Sequence, residues 1–278
     1  MSTHDPSFVF DFHAIDPDDD QRLTSYWDVE PLSRGPEPIP DWVVLDRGAL
    51  DTELGILKTG KEGDVFLLER AGTDGSVVMA AKRYRGEEHR TFHRSAAYVE
   101  GRKVRNSRDA RAMSKKTAHG RAVAAGQWAW AEWESLKRLW TLGVPVPYPV
   151  QIDGTEILME LVTVDGDCSS ATAKPAPRLA RERPEPALLA SYFDQLREAM
   201  TAMASAGIVH GDLSPYNVLA AGERLVVIDL PQVVDLVANP AGPDFLMRDC
   251  HNICTWFNAR GLVVDEHELF GELLAAAW

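Results

Sequence analysis

Three observations predict an α+β fold in two lobes. Short apolar runs with strand-like spacing fill the first half, around Val43–Leu45, Leu54–Leu57, Val65–Glu69 and Val77–Arg83. Apolar residues at spacings of three and four dominate the second half, most clearly over Glu185–Ala206. A polar stretch, His210–Leu219, then interrupts the helical pattern and leads into an apolar run ending at Ile228-Asp229. Strands followed by helices point to segregated rather than alternating layers. With 278 residues and 45% hydrophobic content, the chain is long enough for a two-lobed core.

The elements follow in order. Residues 1–41 are rich in Asp and Pro, including Asp16-Pro17-Asp18-Asp19-Asp20, and read as a flexible acidic arm. Residues 42–160 form the first lobe. Its strands precede a helix over Trp128–Trp140, where Trp133, Leu136, Leu139 and Trp140 share helical spacing. A basic insertion of about 84–121 separates them. Between Arg83 and Arg121 there are 12 Lys or Arg against 4 acids, in a chain of net charge −13. The insertion has no sustained apolar face and reads as a mobile segment or polar helix. Thr155–Val162 is a buried strand leaving towards the second lobe, residues 161–278. There a Pro-containing connector over 165–186 leads to the Glu185–Ala206 helix, with Leu188, Leu189, Tyr192, Phe193, Leu196 and Met200 on its apolar positions. Gly207 ends that helix. Short strands flank Ala220-Ala221-Gly222-Glu223, and helices cover Asp244–Trp278.

Three cysteines, two of them close together at Cys250 and Cys254, fit a reducing compartment, with helix packing favoured over a zinc site. No charged and apolar leader opens the chain, and no run of about 18 apolar residues occurs. A cytoplasmic protein without a membrane span is the expectation.

The chemistry sits in the polar stretch. An Asp such as Asp212 can accept the proton of an attacking hydroxyl. Asn217, five residues on, reaches a metal from the same loop, and Asp229 can bridge that metal to phosphates. His210 reads as a buttress, since Asp212 already fills the role of base. Upstream, Lys82 ends an apolar run and suits contact with α- and β-phosphates. Leu57–Phe66 supplies Lys58, Thr59, Gly60, Lys61, Glu62, Gly63 and Val65, whose two glycines suit a turn lying over phosphates. Lys82 needs a carboxylate partner on the Trp-rich helix. Glu132 and Glu134 cannot share a face. Glu134 is chosen for its register with Leu136 and Leu139, with Glu132 the alternative. Met159, Glu160 and Val162 lie at the end of the buried strand, where a kinase-like fold would place a hinge that meets adenine through backbone groups and where a plain core strand would look much the same.

Together, Thr59–Phe66, Ala80–Arg85, Ala131–Glu134, Val144–Pro147, Ala176–Leu179, His210–Leu219 and Asp229-Leu230-Pro231-Gln232 resemble the RIO family of atypical serine/threonine kinases, over roughly residues 50–260. The resemblance implies a bilobal protein-kinase-like fold whose C-lobe is truncated, lacking the activation segment and peptide-binding helices. Only 49 residues follow Asp229, and no Ala-Pro-Glu appears among them. Gly211 stands where ordinary kinases carry an Arg that reads a phosphorylated loop.

The activity implied is transfer of the γ-phosphate of ATP with Mg2+ to protein serine or threonine, including autophosphorylation of the chain itself at Ser107, Ser114 or Thr117. Hydrolysis through an aspartyl phosphate at Asp229 is the variant outcome. Basic charge near the site also suits RNA or ribosomal phosphates, although the overall acidity and few aromatics oppose it. The rivals are a small-molecule phosphotransferase of the aminoglycoside or choline kinase type, a nucleotide-gated binding module and an ATP-gated RNA or ribosome assembly factor.

Overall fold

The computed structural model describes residues 21–85, 118–169, 173–231 and 233–278. Ser107, Ser114 and Thr117, the remainder of 86–117, residues 1–20 and Gln232 lie outside the described residues.

Six strands form one antiparallel sheet in the order β1-β2-β3-β4-β6-β5. They are β1 (Gln21–Leu23), β2 (Leu50–Thr59), β3 (Gly63–Ala71), β4 (Ser76–Tyr84), β5 (Pro149–Asp153) and β6 (Glu156–Glu160). The central strand β4 is buried along most of its length because Val77, Val78, Met79, Ala80 and Ala81 form a continuous apolar run. Helix α1 (Ala118–Thr141) packs against β4 and β5, burying Ala129, Trp133, Leu136 and Leu139. It starts well before Trp128, so the helical segment is longer than the tryptophan spacing implies.

Two expectations fail here. The arm proposed for residues 1–41 does not extend through 21–41. Gln21–Leu23 pairs with β2, Tyr26 is buried, and Arg34 donates to the carbonyls of Tyr26, Trp27 and Val29. Its guanidinium lies 5.0 Å from the Trp27 ring centroid. Aromatic burial and one Arg engaging several carbonyls outweigh the Pro- and Asp-rich composition. Val43–Leu45 is not a strand. Val43 instead closes a turn onto the Pro40 carbonyl and packs into the core beneath the sheet.

The second lobe contains α2 (Pro186–Ser205), β7 (Ile208–Val209), the hairpin β8 (Val218–Ala221) and β9 (Arg224–Val227), β10 (Val234–Asp235), α3 (Gly242–Asn258) and α4 (Glu266–Ala276). Pro186 opens α2 where its missing N–H costs nothing. One large apolar cluster joins α1, α2, α3 and α4, which places the loop between β7 and β8 against a packed floor. Cys250 and Cys254 are free thiols within that core. No helix among the described residues is long and apolar enough to cross a membrane.

Candidate active site

Strand pairing brings the upstream residues together. Lys58 faces Val65 across β2 and β3, and Val65 faces Lys82 across β3 and β4. Gly63 opens β3 so close to β4 that a Cβ there would lie 2.2 Å from the Arg83 carbonyl oxygen, which excludes any larger residue. Thr59 ends β2 opposite Asp64, and Gly60, Lys61 and Glu62 complete the turn.

Lys82 is the centre of the site. Its Nζ donates to Glu132 Oε1 at 2.7 Å and to Asp229 Oδ1 at 2.8 Å. Burial alone would lower its pKa, but Glu132, Tyr84 and Asp229 outweigh that and raise it well above the ordinary lysine value. The partner on α1 is therefore Glu132, not Glu134. Glu134 is half exposed and pairs with Lys137 one turn along the same helix. The buried stripe of α1 is set by Ala129, Trp133 and Leu136, and the rotation that buries them turns position 132 towards β4.

Asp229 has φ +69°, a left-handed conformation rare for a residue other than glycine and concentrated at functional sites. Lys82 lowers its pKa to about 2 against the effect of burial. Its side chain is still 37% exposed, which leaves carboxylate surface open to a cation. The residue before it is pinned from the His210–Leu219 stretch: Ile228 N–H donates to the Asn217 carbonyl at 2.9 Å, and His210 Nε2 meets the Ile228 carbonyl at 3.1 Å. His210 Nδ1 accepts from the Asp212 N–H at 3.3 Å. These two bonds define a neutral imidazole protonated on Nε2, in keeping with burial lowering its pKa. His210 is thus the buttress the sequence indicated.

Asn217 Nδ2 donates to the Asp212 carbonyl at 2.9 Å, so the amide nitrogen is committed and the oxygen is the end available to a hard cation. An amide oxygen and a carboxylate suit Mg2+ that completes its shell with phosphate oxygens and water. Among the described residues, no cluster of three or more His, Cys, Asp or Glu competes as a metal site.

The three residues expected at the hinge sit on β6 and just beyond its end. Met159 is half-buried on β6 opposite Ala80. The Glu160 carboxylate turns away, accepting from the Tyr148 N–H at 3.1 Å and from Arg224 at 3.2 Å, and so ties the two lobes together. Val162 packs with Ala176, Ala221 and Val226, and its carbonyl accepts from the Ala176 N–H.

Several functional neighbours escaped sequence reasoning. Asp249 on α3 accepts from the Gly211 and Leu213 N–H groups, both at 2.8 Å, bracketing Asp212. Burial pushes its pKa up to about 7, opposed by those two backbone bonds. Asn252 donates to the Leu213 carbonyl at 2.9 Å, and Arg248 donates to the Gly211 carbonyl. Gly211 accommodates this grip at φ +82°. A signal existed: Asp249 lies in helical register with Leu246 and Ile253, an acid on an apolar stripe. Arg178, from the connector, donates to the Tyr216 carbonyl beside Asn217.

Glu62 faces the same cluster. Burial and then the charge of Asp229 raise its pKa to about 6. Between pH 4.5 and 6 the folded chain keeps a proton that the unfolded chain releases, so this group's contribution to stability falls as pH rises. A Glu62→Gln variant is expected to melt higher than the parent at about pH 7.5, with a smaller difference near pH 4.5. Thermal denaturation at both values checks this, and an equal difference at both removes the assignment.

Comparisons with known proteins identify the family. A family model described as RIO domain matches residues 69–269. The RIO-type serine/threonine-protein kinase Rio1 of Haloferax volcanii is 34% identical over 227 residues, covering 82% of this chain and 70% of that protein. The serine/threonine-protein kinase RIO1 of Saccharomyces cerevisiae is 27% identical over 241 residues, and the match covers 80% of this chain but 47% of the yeast protein. The crystal structure of the Rio2 kinase-ADP/Mg2+-phosphoaspartate complex from Chaetomium thermophilum superposes with a TM-score of 0.55 at 22% identity, over 81% of this chain and 65% of that one. That likeness carries the fold, an α+β kinase-like architecture with few helices, and the family model carries the membership: this chain belongs to the RIO family.

Proposed function

We propose that the chain is an ATP-dependent phosphotransferase of the RIO serine/threonine kinase type, acting on protein, itself included. The observation that carries this is the convergence of Lys82, Glu132 and Asp229 through bonds of 2.7 and 2.8 Å, with Ile228 tied to the loop that holds Asp212 and Asn217. Lys82, oriented by Glu132, holds the α- and β-phosphates beneath the turn from Lys58 to Val65. Mg2+ held by Asn217 and Asp229 supplies neutralisation of charge on the transferred group. Asp212, with no hydrogen bond or ion pair to its carboxylate from another described residue, accepts the proton of the incoming hydroxyl. His210 holds the Asp212 backbone and the Asp229 strand in one register.

A second output is favoured by one feature. Asp229 is ionised, partly exposed and held beside Lys82, the arrangement required of a carboxylate that itself receives phosphate. The Rio2 kinase from Chaetomium thermophilum is known as an ADP/Mg2+-phosphoaspartate complex, which supports the same output for a related fold. A reducing, cytoplasmic setting is supported by the free buried thiols. Contact of the basic insertion with RNA or ribosomes is a further part of the reading and rests on charge alone.

The test incubates the purified chain with γ-labelled ATP and Mg2+, beside an Asp212→Asn variant, and measures protein-bound label and released phosphate. Label stable in acid is expected for seryl transfer, and label stable only near neutrality for an aspartyl phosphate. Loss of about a hundredfold or more in Asp212→Asn is expected for hydroxyl transfer. Neither product from the parent chain overturns the reading.

A further inference from the structure

Tyr84 stands two residues after Lys82 on β4, and successive side chains of a strand alternate, so both emerge on one face. Glu132 is 2% exposed, and a carboxylate so deeply buried needs donors on both oxygens. Lys82 Nζ reaches Oε1 at 2.7 Å, and the Leu230 N–H, next to Asp229, reaches the same oxygen at 3.3 Å. The Tyr84 hydroxyl donates to Oε2. Burial and then the Glu132 charge hold the phenol well above its ordinary pKa, so it remains a donor at any working pH. The Lys82 ammonium lies 5.2 Å from the Tyr84 ring centroid, which fixes the lysine from a second direction.

The helix that carries Glu132 is also anchored away from the Lys82 cluster. Trp133 Nε1 and Lys137 Nζ donate to the Leu32 carbonyl at 3.1 and 3.0 Å, and Arg138 donates to the Ala206 carbonyl at 2.7 Å. In ordinary protein kinases the position of this helix is a controlled variable. Here the carboxylate is held by the strand that carries the lysine itself.

We propose that Tyr84 is a positioning residue for phosphoryl transfer: its hydroxyl locks the Glu132 carboxylate, and through it Lys82, in the phosphate-holding arrangement without a switching event. This inference rests on reading the site as one for Mg2+ and ATP.

The experiment is a double-mutant cycle on the full chain with the parent, Tyr84→Phe, Glu132→Ala and the double variant. KM for ATP and kcat are read from γ-label turnover, affinity from displacement of a fluorescent ATP analogue, and integrity from the melting temperature. Tyr84→Phe is expected to raise KM for ATP about tenfold, with a smaller change in kcat and a melting temperature close to the parent's. In the Glu132→Ala background the same substitution is expected to change KM by less than about twofold, because the group it acts through is gone. An unchanged KM in Tyr84→Phe, equal effects in both backgrounds, or a Tyr84→Phe chain that melts below assay temperature overturns the positioning role. A parent chain that neither binds nor turns over ATP overturns the site reading, and the role of Tyr84 with it.

Discussion

An Asp229→Asn variant is expected to lose Mg2+-dependent turnover of ATP by about a thousandfold or more while the chain stays folded. Three features make the effect large. Asp229 contributes the charged member of the proposed pair of Mg2+ ligands, whereas Asn217 offers a neutral oxygen. Its carboxylate is also one of two acceptors for the Lys82 ammonium, at 2.8 Å, so the amide weakens the hold on the group that meets the phosphates. Finally, Asp229 sits at φ +69°, a conformation that Asn tolerates as well as Asp, so the backbone has no reason to relax. The loss therefore reports on charge rather than on folding. Released phosphate and protein-bound label, measured across a Mg2+ titration, check it. Turnover within about tenfold of the parent at saturating Mg2+ would remove Asp229 from the site. Because Lys82 keeps the Asp229 pKa near 2, protonation of this residue is not expected to shape the rate between about pH 5 and 8.

Asp249→Ala should be the most damaging change away from the proposed nucleotide site. Asp249 is 1% exposed and accepts two backbone N–H bonds at 2.8 Å from the residues on either side of Asp212. Alanine leaves the Gly211 and Leu213 donors without that acceptor in a buried setting, and each loss costs about 1–3 kcal/mol. A destabilisation of about 3 kcal/mol follows, or a fall of roughly 10 °C in melting temperature for a chain of this size. Turnover should fall further than stability alone explains, because the freed loop carries Asp212 and, through the bond from Asn217 to the Asp212 carbonyl, the amide proposed to hold Mg2+. Asp249→Asn keeps one acceptor and should lie between parent and alanine. Thermal denaturation alongside turnover at a temperature where every variant is folded separates the two effects. A chain that keeps parental stability and rate in the Asp249→Ala variant would show that the loop is held by other contacts.

The local pieces of the site were legible because they lie close together in the chain. Asp212 and Asn217 share a loop, Ile228-Asp229 ends the strand that follows it, and Lys82 ends a buried run whose apolar pattern announces a central strand. The turn from Thr59 to Val65 was legible for the same reason, and so was the structural role of His210. Periodicity located α1 and α2, and the strand-to-helix progression indicated an α+β chain in two lobes.

Tertiary structure decided the rest, wherever the answer depended on how one element is rotated against another. Glu132 and Glu134 are indistinguishable by composition, and the choice between them follows from Trp133 and Leu136 burying one face of α1 against β4. The Glu160 carboxylate meets Tyr148 and Arg224, a pairing across the lobes that no local pattern announces. Tyr26 and Arg34 drew a Pro-rich segment onto the sheet that composition alone would have left in solvent. Asp249 and Tyr84 act on groups 36 to 48 positions away in sequence, through hydrogen bonds that exist only once a helix and a strand have docked. Sequence patterning determines which face of an element is apolar and which short loops carry chemistry, because those are local properties of the chain. The pairing of a buried charge is settled by docking, where desolvation leaves it stable only if a specific partner arrives at hydrogen-bonding distance.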